Sequence, residues 1–241
     1  MPLPISLVFV VLAAIGWSWT LLAFDRQETP PKIATSETRG LPIAFLWGAL
    51  TAALVFVAST LIRLPALFGT GSESVARAIL EEGLKSLGLV VLFVWQRAQF
   101  AGWRQGIGYA GLIGAGFVLG DYAVRLEDLL PAEQWEAAFF WRMLVFGGLP
   151  GLCTGIAGVG LGVARTASSR PLSALAVVAG LAGATAANAL LRSEIVAAET
   201  LSAANALPPF GAYLLLVGAY LLLYAWGRRR VAQVTSAVPT Q

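Results

Sequence analysis

Arg77-Ala-Ile-Leu-Glu-Glu-Gly-Leu-Lys85 lies inside an apolar run over about 74–95 that is long enough to cross a bilayer. Each charged side chain near a membrane centre costs about 2.5–3.5 kcal/mol on insertion scales, so such residues turn toward a bundle interior or a wet cavity and mark function. On a helix, Lys85 follows Glu81 by four residues and Glu82 by three, so one ammonium reaches either acid. Glu81 and Glu82 project about 100° apart. Periodicity therefore permits either as the inward acid, and both only where the helix is enclosed on a wide arc. A structural alternative is a self-neutralising ladder, Glu73–Arg77–Glu81–Lys85, that holds helices together.

Composition sets the setting for that stretch. Of 241 residues, 58% are apolar and 12% charged, and the mean hydropathy is +0.77. These values describe an all-α, polytopic membrane protein rather than a soluble domain. The 26 glycines favour close helix approach. Cys153 is the lone cysteine, which excludes a disulfide framework and a thiol metal cluster. The chain has no histidine, which removes His-ligated zinc and histidine bases together. The expectation is a site without metal or other cofactor. The net charge of +3 follows the loops and is no nucleic-acid footprint, so the expected surroundings are the lipid bilayer.

Apolar runs of roughly 20 residues predict about seven transmembrane helices, over 3–24, 41–62, 74–95, 106–124, 138–164, 172–191 and 208–226. The first lacks a basic leader and an evident cleavage site, and so reads as a span rather than a signal peptide. Arg26, Lys32, Arg39, Arg97, Arg104, Arg165, Arg170, Arg228, Arg229 and Arg230 fall on one side of this arrangement. Only Arg63, Arg125 and Arg192 fall on the other. That asymmetry predicts an outside N-terminus and a cytoplasmic C-terminus, in a multi-pass protein of the cytoplasmic membrane. Residues 1–230 read as one integral membrane domain, and 231–241 as a disordered cytoplasmic tail. The acidic segment 125–136 reads as a short interfacial helix outside.

This topology brings polar groups to one depth. With a rise of about 1.5 Å per residue, Glu81 and Glu82 lie roughly 10–14 Å below the outer surface. Asp121 falls one turn from the outer end of the fourth span, Arg142 in the first turn of the fifth, and Asn188 in the last outer turn of the sixth. Converging polar groups in one leaflet suit a hydrated site. Their structural alternatives are an interfacial anchor for Asp121 and interhelical hydrogen bonding for Asn188. If Glu82 and Asp121 approach each other, one can take a proton from water while the other gives one. Lys85 or Arg142 would then hold the second acid ionised or stabilise an oxyanion. A solute path is disfavoured, because 87–95 and 106–116 contain no charged residue.

Several stretches together resemble the PrsW family of intramembrane proteases, which is related to the CAAX prenyl endopeptidases. Asp25-Arg26-Gln27-Glu28-Thr29-Pro30 resembles a D-R-x-E-P loop, and Ala44-Phe45-Leu46-Trp47-Gly48-Ala49 the start of the family's second span. Glu81-Glu82-Gly83-Leu84-Lys85 is similar to its E-E-x-x-K motif, and the glycine-rich stretch ending Phe117-Val-Leu-Gly-Asp121 to F-x-x-x-E, with Asp for Glu. In the H-x-x-x-T and H-x-x-x-N patterns, Thr154 and Asn188 are present, while Pro150 and Ala184 stand at the histidine positions. Pro150 is expected near the depth of Glu82.

The resemblance implies a glutamic-type protease that cuts a membrane protein or peptide within the bilayer. Glu82 would activate water, with Glu81, Asp121, Lys85 and Asn188 as the other catalytic groups and Phe117, Arg142 and Thr154 in support. The alternative is an inactive pseudoprotease serving as a membrane scaffold. Glu82 and Asp121 within direct or one-water reach in a cavity would favour catalysis. Arg77 and Lys85 capping the acid pair in a closed core would favour the scaffold.

Overall fold

The computed structural model describes residues 40–61, 73–95, 102–124 and 148–199, with further helical residues within 214–225. Five long helices run through them: α1 (Gly40–Leu61), α2 (Glu73–Trp95), α3 (Trp103–Val124), α4 (Leu149–Thr166) and α5 (Arg170–Glu199). There is no strand among the described residues. The expected spans over 41–62, 74–95 and 106–124 are thus met by helices within a few residues of their predicted ends. The expected first span, Arg142 and the 125–136 segment lie outside the described residues, as do most of the seventh span and the tail.

Two expected boundaries change. The helix carrying Thr154 begins at Leu149, well inside the span predicted over 138–164, with Gly148 as its N-cap and Pro150 in its first turn. Proline lacks an N–H and its ring collides with the preceding turn, so it suits a helix start and opposes a helix interior. At the other end α5 continues to Glu199, so Asn188 sits well inside a helix rather than in its last turn. The polar residues Arg192, Ser193 and Glu194 end the apolar run without ending the helix.

Glycine pairs fix how the helices meet. A Cβ on Gly48 of α1 would fall on the Ile113 carbonyl of α3, and one on Gly116 of α3 would fall on the Phe45 carbonyl of α1. Gly106 and Gly114 of α3 meet Gly158 and Gly151 of α4 backbone to backbone. Such small-residue seams let helices pack by dispersion where lipid gives no hydrophobic drive. The order of the pairs gives direction. Gly116 lies by Phe45 and Gly120 by Ala49, so α1 and α3 are parallel, whereas Gly106–Gly158 and Gly114–Gly151 make α3 and α4 antiparallel. Trp47 of α1 covers Gly88 of α2, while Leu80 and Leu84 pack against Ala52, Val55 and Phe117, so α2 runs against both α1 and α3. Gly160 against Gly180, with Gly183 by Ile156, makes α5 antiparallel to α4.

The outward faces are apolar. Leu46, Leu50, Val57 and Leu61 of α1, Ile79, Leu87, Val91 and Val94 of α2, and Leu175 and Val178 of α5 are exposed. Among the described residues three helical stretches, Gly40–Leu61, Trp103–Val124 and Arg170–Leu191, are long and apolar enough to cross a membrane by length and composition. An apolar exterior that encloses a few buried charges in an apolar core suits a lipid surround.

The seams make a stability prediction. Gly106→Leu places a side chain against the Gly158 backbone, and overpacking of this kind costs about 1–3 kcal/mol or more. Gly83, by contrast, is exposed with nothing near its missing Cβ. Gly83→Ala is expected to raise the thermal midpoint in detergent through a helix gain of about 0.5–1 kcal/mol, while Gly106→Leu lowers it or abolishes the folded peak. Equal behaviour of the two would refute the close α3–α4 seam.

Candidate functional site

Both acids of the organising stretch point inward: Glu81 and Glu82 are each 1% exposed and Lys85 is fully buried. Adjacent helical residues can do this only because α2 is covered on a wide arc, by α1, α3, α4 and α5. Lys85 reaches either acid in principle. In the structure it takes Glu82, forming a short ion pair from Nζ to Oε1 one turn away. Glu81 is held instead by Arg77, whose Nε lies 3.2 Å from Oε1. The single ladder through Lys85 is therefore replaced by two separate pairs.

Each remaining helix adds one polar or aromatic group. From α5, Asn188 Nδ2 donates to Glu82 Oε1 at 2.8 Å and lies 3.4 Å from Glu81 Oε2, so one amide bridges both acids. From α4, the Thr154 hydroxyl lies 3.0 Å from Glu82 Oε2 and 2.7 Å from the carbonyl of Pro150. From α3, the Phe117 ring faces the Lys85 ammonium, 4.8 Å from its centroid. A buried ammonium loses hydration, and an aromatic face partly replaces it. From α1, the Trp47 indole donates to the Leu84 carbonyl at 2.9 Å, pinning α2 between Glu82 and Lys85.

Six expected residues thus come together: Glu81, Glu82, Lys85, Phe117, Thr154 and Asn188. Asp121 is half-buried on α3. Because α2 and α3 are antiparallel with Lys85 level with Phe117, Asp121, one turn further on, is level with Glu81. Pro150 enters through its carbonyl, one turn before Thr154, and Ala184 is fully buried one turn before Asn188.

Sequence reasoning missed Trp47, Thr51 and Ser86. The hydroxyls of Thr51 and Ser86 are buried with no hydrogen-bond partner among the described residues. Ser86 follows Glu82 by one turn of the same helix, a spacing visible in the sequence. The Trp47 bond joins residues 37 apart, and no local pattern announces it.

Residues 37–230 match the family model described as PrsW family intramembrane metalloprotease. No curated protein and no solved structure is found to match. The description raises the question of a metal, and the residues present do not suit one. Glu82 turns Oε1 toward two N–H donors and Oε2 toward the Thr154 hydroxyl, and Lys85 already neutralises it. Arg77 neutralises Glu81. A divalent ion would have to expel a buried ammonium from its counterion, and the chain has no histidine to bind it instead. No group of three or more His, Cys, Asp or Glu is placed to hold an ion among the described residues. Protein purified from zinc-supplemented cells is expected to carry well below one zinc per chain by elemental mass spectrometry. One equivalent of zinc, lost in Glu82→Gln, would overturn this.

Proposed function

Because the chain belongs to the PrsW family of intramembrane proteases, we propose that it hydrolyses a peptide bond of a membrane protein substrate, with Glu82 as the base that activates water. The supporting observation is that three helices bring polar groups to one carboxylate, and a fourth sets an aromatic ring over its counterion, inside an otherwise apolar bundle. Buried charge is costly in such surroundings, and a purely structural bundle of this composition would hold without it.

The two oxygens of Glu82 have different roles. Oε1 faces Lys85 and Asn188, both donors, which fix the carboxylate and hold its charge. Among the described residues Oε2 faces only Thr154, and it is the oxygen that takes a proton from water. Ser86 and Thr51 supply hydroxyls unpaired among the described residues, of the kind a bound water satisfies. Asn188 and Lys85 are the donors available to a developing oxyanion, and Asp121, level with Glu81, is the supporting acid. Since Glu82 is 1% exposed, a substrate reaches it when a helix moves. We assign that movement to α5, which carries Asn188 and leaves much of its apolar surface exposed.

The wider topology belongs to the same proposal. Seven spans, an outside N-terminus and a cytoplasmic C-terminus follow from the basic loops, and the alternating directions of α1 to α5 support consecutive crossings. With that orientation the cut falls toward the extracytoplasmic side.

One observation favours a second reading. Arg77 and Lys85 cap the two acids, the arrangement expected of a charge-balanced scaffold that binds a membrane partner without cutting it. The deciding experiment replaces Glu82 with Gln in cells and asks which membrane proteins accumulate uncut.

A further inference from the structure

The Thr154 hydroxyl is fully buried and has one proton but two oxygen neighbours, Glu82 Oε2 at 3.0 Å and the Pro150 carbonyl at 2.7 Å. Both neighbours accept when Glu82 is ionised, so the hydroxyl proton serves one at a time. Turned toward Glu82, it holds the carboxylate. Turned toward Pro150, it presents a lone pair to Oε2, and two lone pairs at that distance repel unless Oε2 carries a proton. Protonation of Glu82 and rotation of the Thr154 hydroxyl are therefore one coupled event. The other oxygen is closed to this event, because Lys85 and Asn188 both direct N–H groups at Oε1. Among the described residues, the other titratable or charged groups facing Glu82 are Glu81 with Arg77 on α2, Asp121 on α3 at the level of Glu81, and the buried Cys153 thiol of α4. No charged group from α4 or α5 is bonded to Glu82 among the described residues: each contributes a neutral donor, Thr154 and Asn188.

We propose that Thr154 is a positioning residue that fixes the transferred proton on Oε2 of Glu82, its hydroxyl turning to Pro150 as the proton arrives and back as it leaves. The proposal rests on the hydrolytic reading above. In that reaction, water gives a proton to Oε2 as its oxygen bonds the substrate carbonyl carbon. The carbon–nitrogen bond then breaks, and the same proton passes from Oε2 to the departing amine, so that the elements of water are added across the peptide bond. By accepting a hydrogen bond from protonated Oε2, Thr154 keeps the proton on the oxygen that received it. The donor side of Thr154 remains satisfied throughout, because the Pro150 carbonyl lies one turn back on the same helix.

The test compares Thr154→Val, which keeps the shape and removes the hydroxyl, with Thr154→Ser, which keeps the hydroxyl. The full chain in detergent is acidified, and the infrared carbonyl band of protonated Glu82 is identified as the one that Glu82→Gln removes. The expected band is that of a hydrogen-bonded acid in the unmodified protein and in Thr154→Ser, shifted toward that of a free acid in Thr154→Val. Thr154→Ala serves in place of Thr154→Val if the latter does not fold. With substrate, kcat is expected to fall at least tenfold in Thr154→Val with little change in KM, and to recover in Thr154→Ser. A band unmoved by loss of the hydroxyl overturns the proposal, as does the absence of any Glu82 band while the protein stays folded. The spectrum needs no substrate, so a protein that cuts nothing would refute hydrolysis and leave the behaviour of Thr154 to be read separately.

Discussion

Cells producing Glu82→Gln are expected to accumulate the same uncut membrane proteins as cells lacking the gene. Loss of a general base lowers turnover by about 10²–10⁴-fold, enough to make the variant a null in any steady-state comparison. The substitution is mild in shape. A glutamine oxygen still accepts from Lys85 and Asn188, and its amide can donate to Thr154, which can turn its own proton to Pro150. A folded but inactive product, less stable because Lys85 loses its counterion, is therefore the predicted outcome, checked by a single detergent-chromatography peak alongside quantitative membrane proteomics. Full complementation by Glu82→Gln would remove hydrolysis by this residue and leave the scaffold reading, in which the glutamine keeps the hydrogen bonds of the network.

The second large effect concerns stability. Lys85 is fully buried, paired with Glu82 and seated over Phe117. Lys85→Met keeps much of the volume and lets sulfur meet the Phe117 ring, but it leaves a buried carboxylate without its cation. Breaking one side of such a pair costs about 3–5 kcal/mol. Adding Glu82→Gln removes the orphaned charge, so the double variant is expected to unfold at a higher temperature than Lys85→Met alone despite carrying more changes. If the double variant is the less stable of the two, the ion pair does not contribute as the structure indicates. Thermal unfolding of the three variants in one detergent decides this.

Much of this architecture can be read from hydropathy alone, because membrane helices declare themselves by length. Failures occur where a local feature overrides that rule. Pro150 starts α4 inside what looked like a continuous span. Arg192, Ser193 and Glu194 leave α5 intact although they break its apolar run. The site was legible as residue types and hidden as partnerships. Period and spacing allowed Lys85 to choose either acid and either acid to face inward. The choice is made by Arg77, which takes Glu81, and by Asn188, which bridges both from 106 and 107 residues away. Thr154 was legible through its resemblance to a family pattern, but its two competing acceptors exist only once α4 lies beside α2. Trp47 stood in a quoted stretch without a role, since an indole bond to the Leu84 carbonyl depends on tertiary packing.

The two ion pairs of α2 also have an electrical meaning. With both pairs ionised, Arg77, Glu81, Glu82 and Lys85 carry no net charge between them. A voltage across the bilayer does work of about 2.3 kcal/mol per elementary charge per 100 mV, and on a balanced quartet those forces cancel. An energised cell can therefore change its membrane voltage without a net pull on this buried quartet along the helix axis.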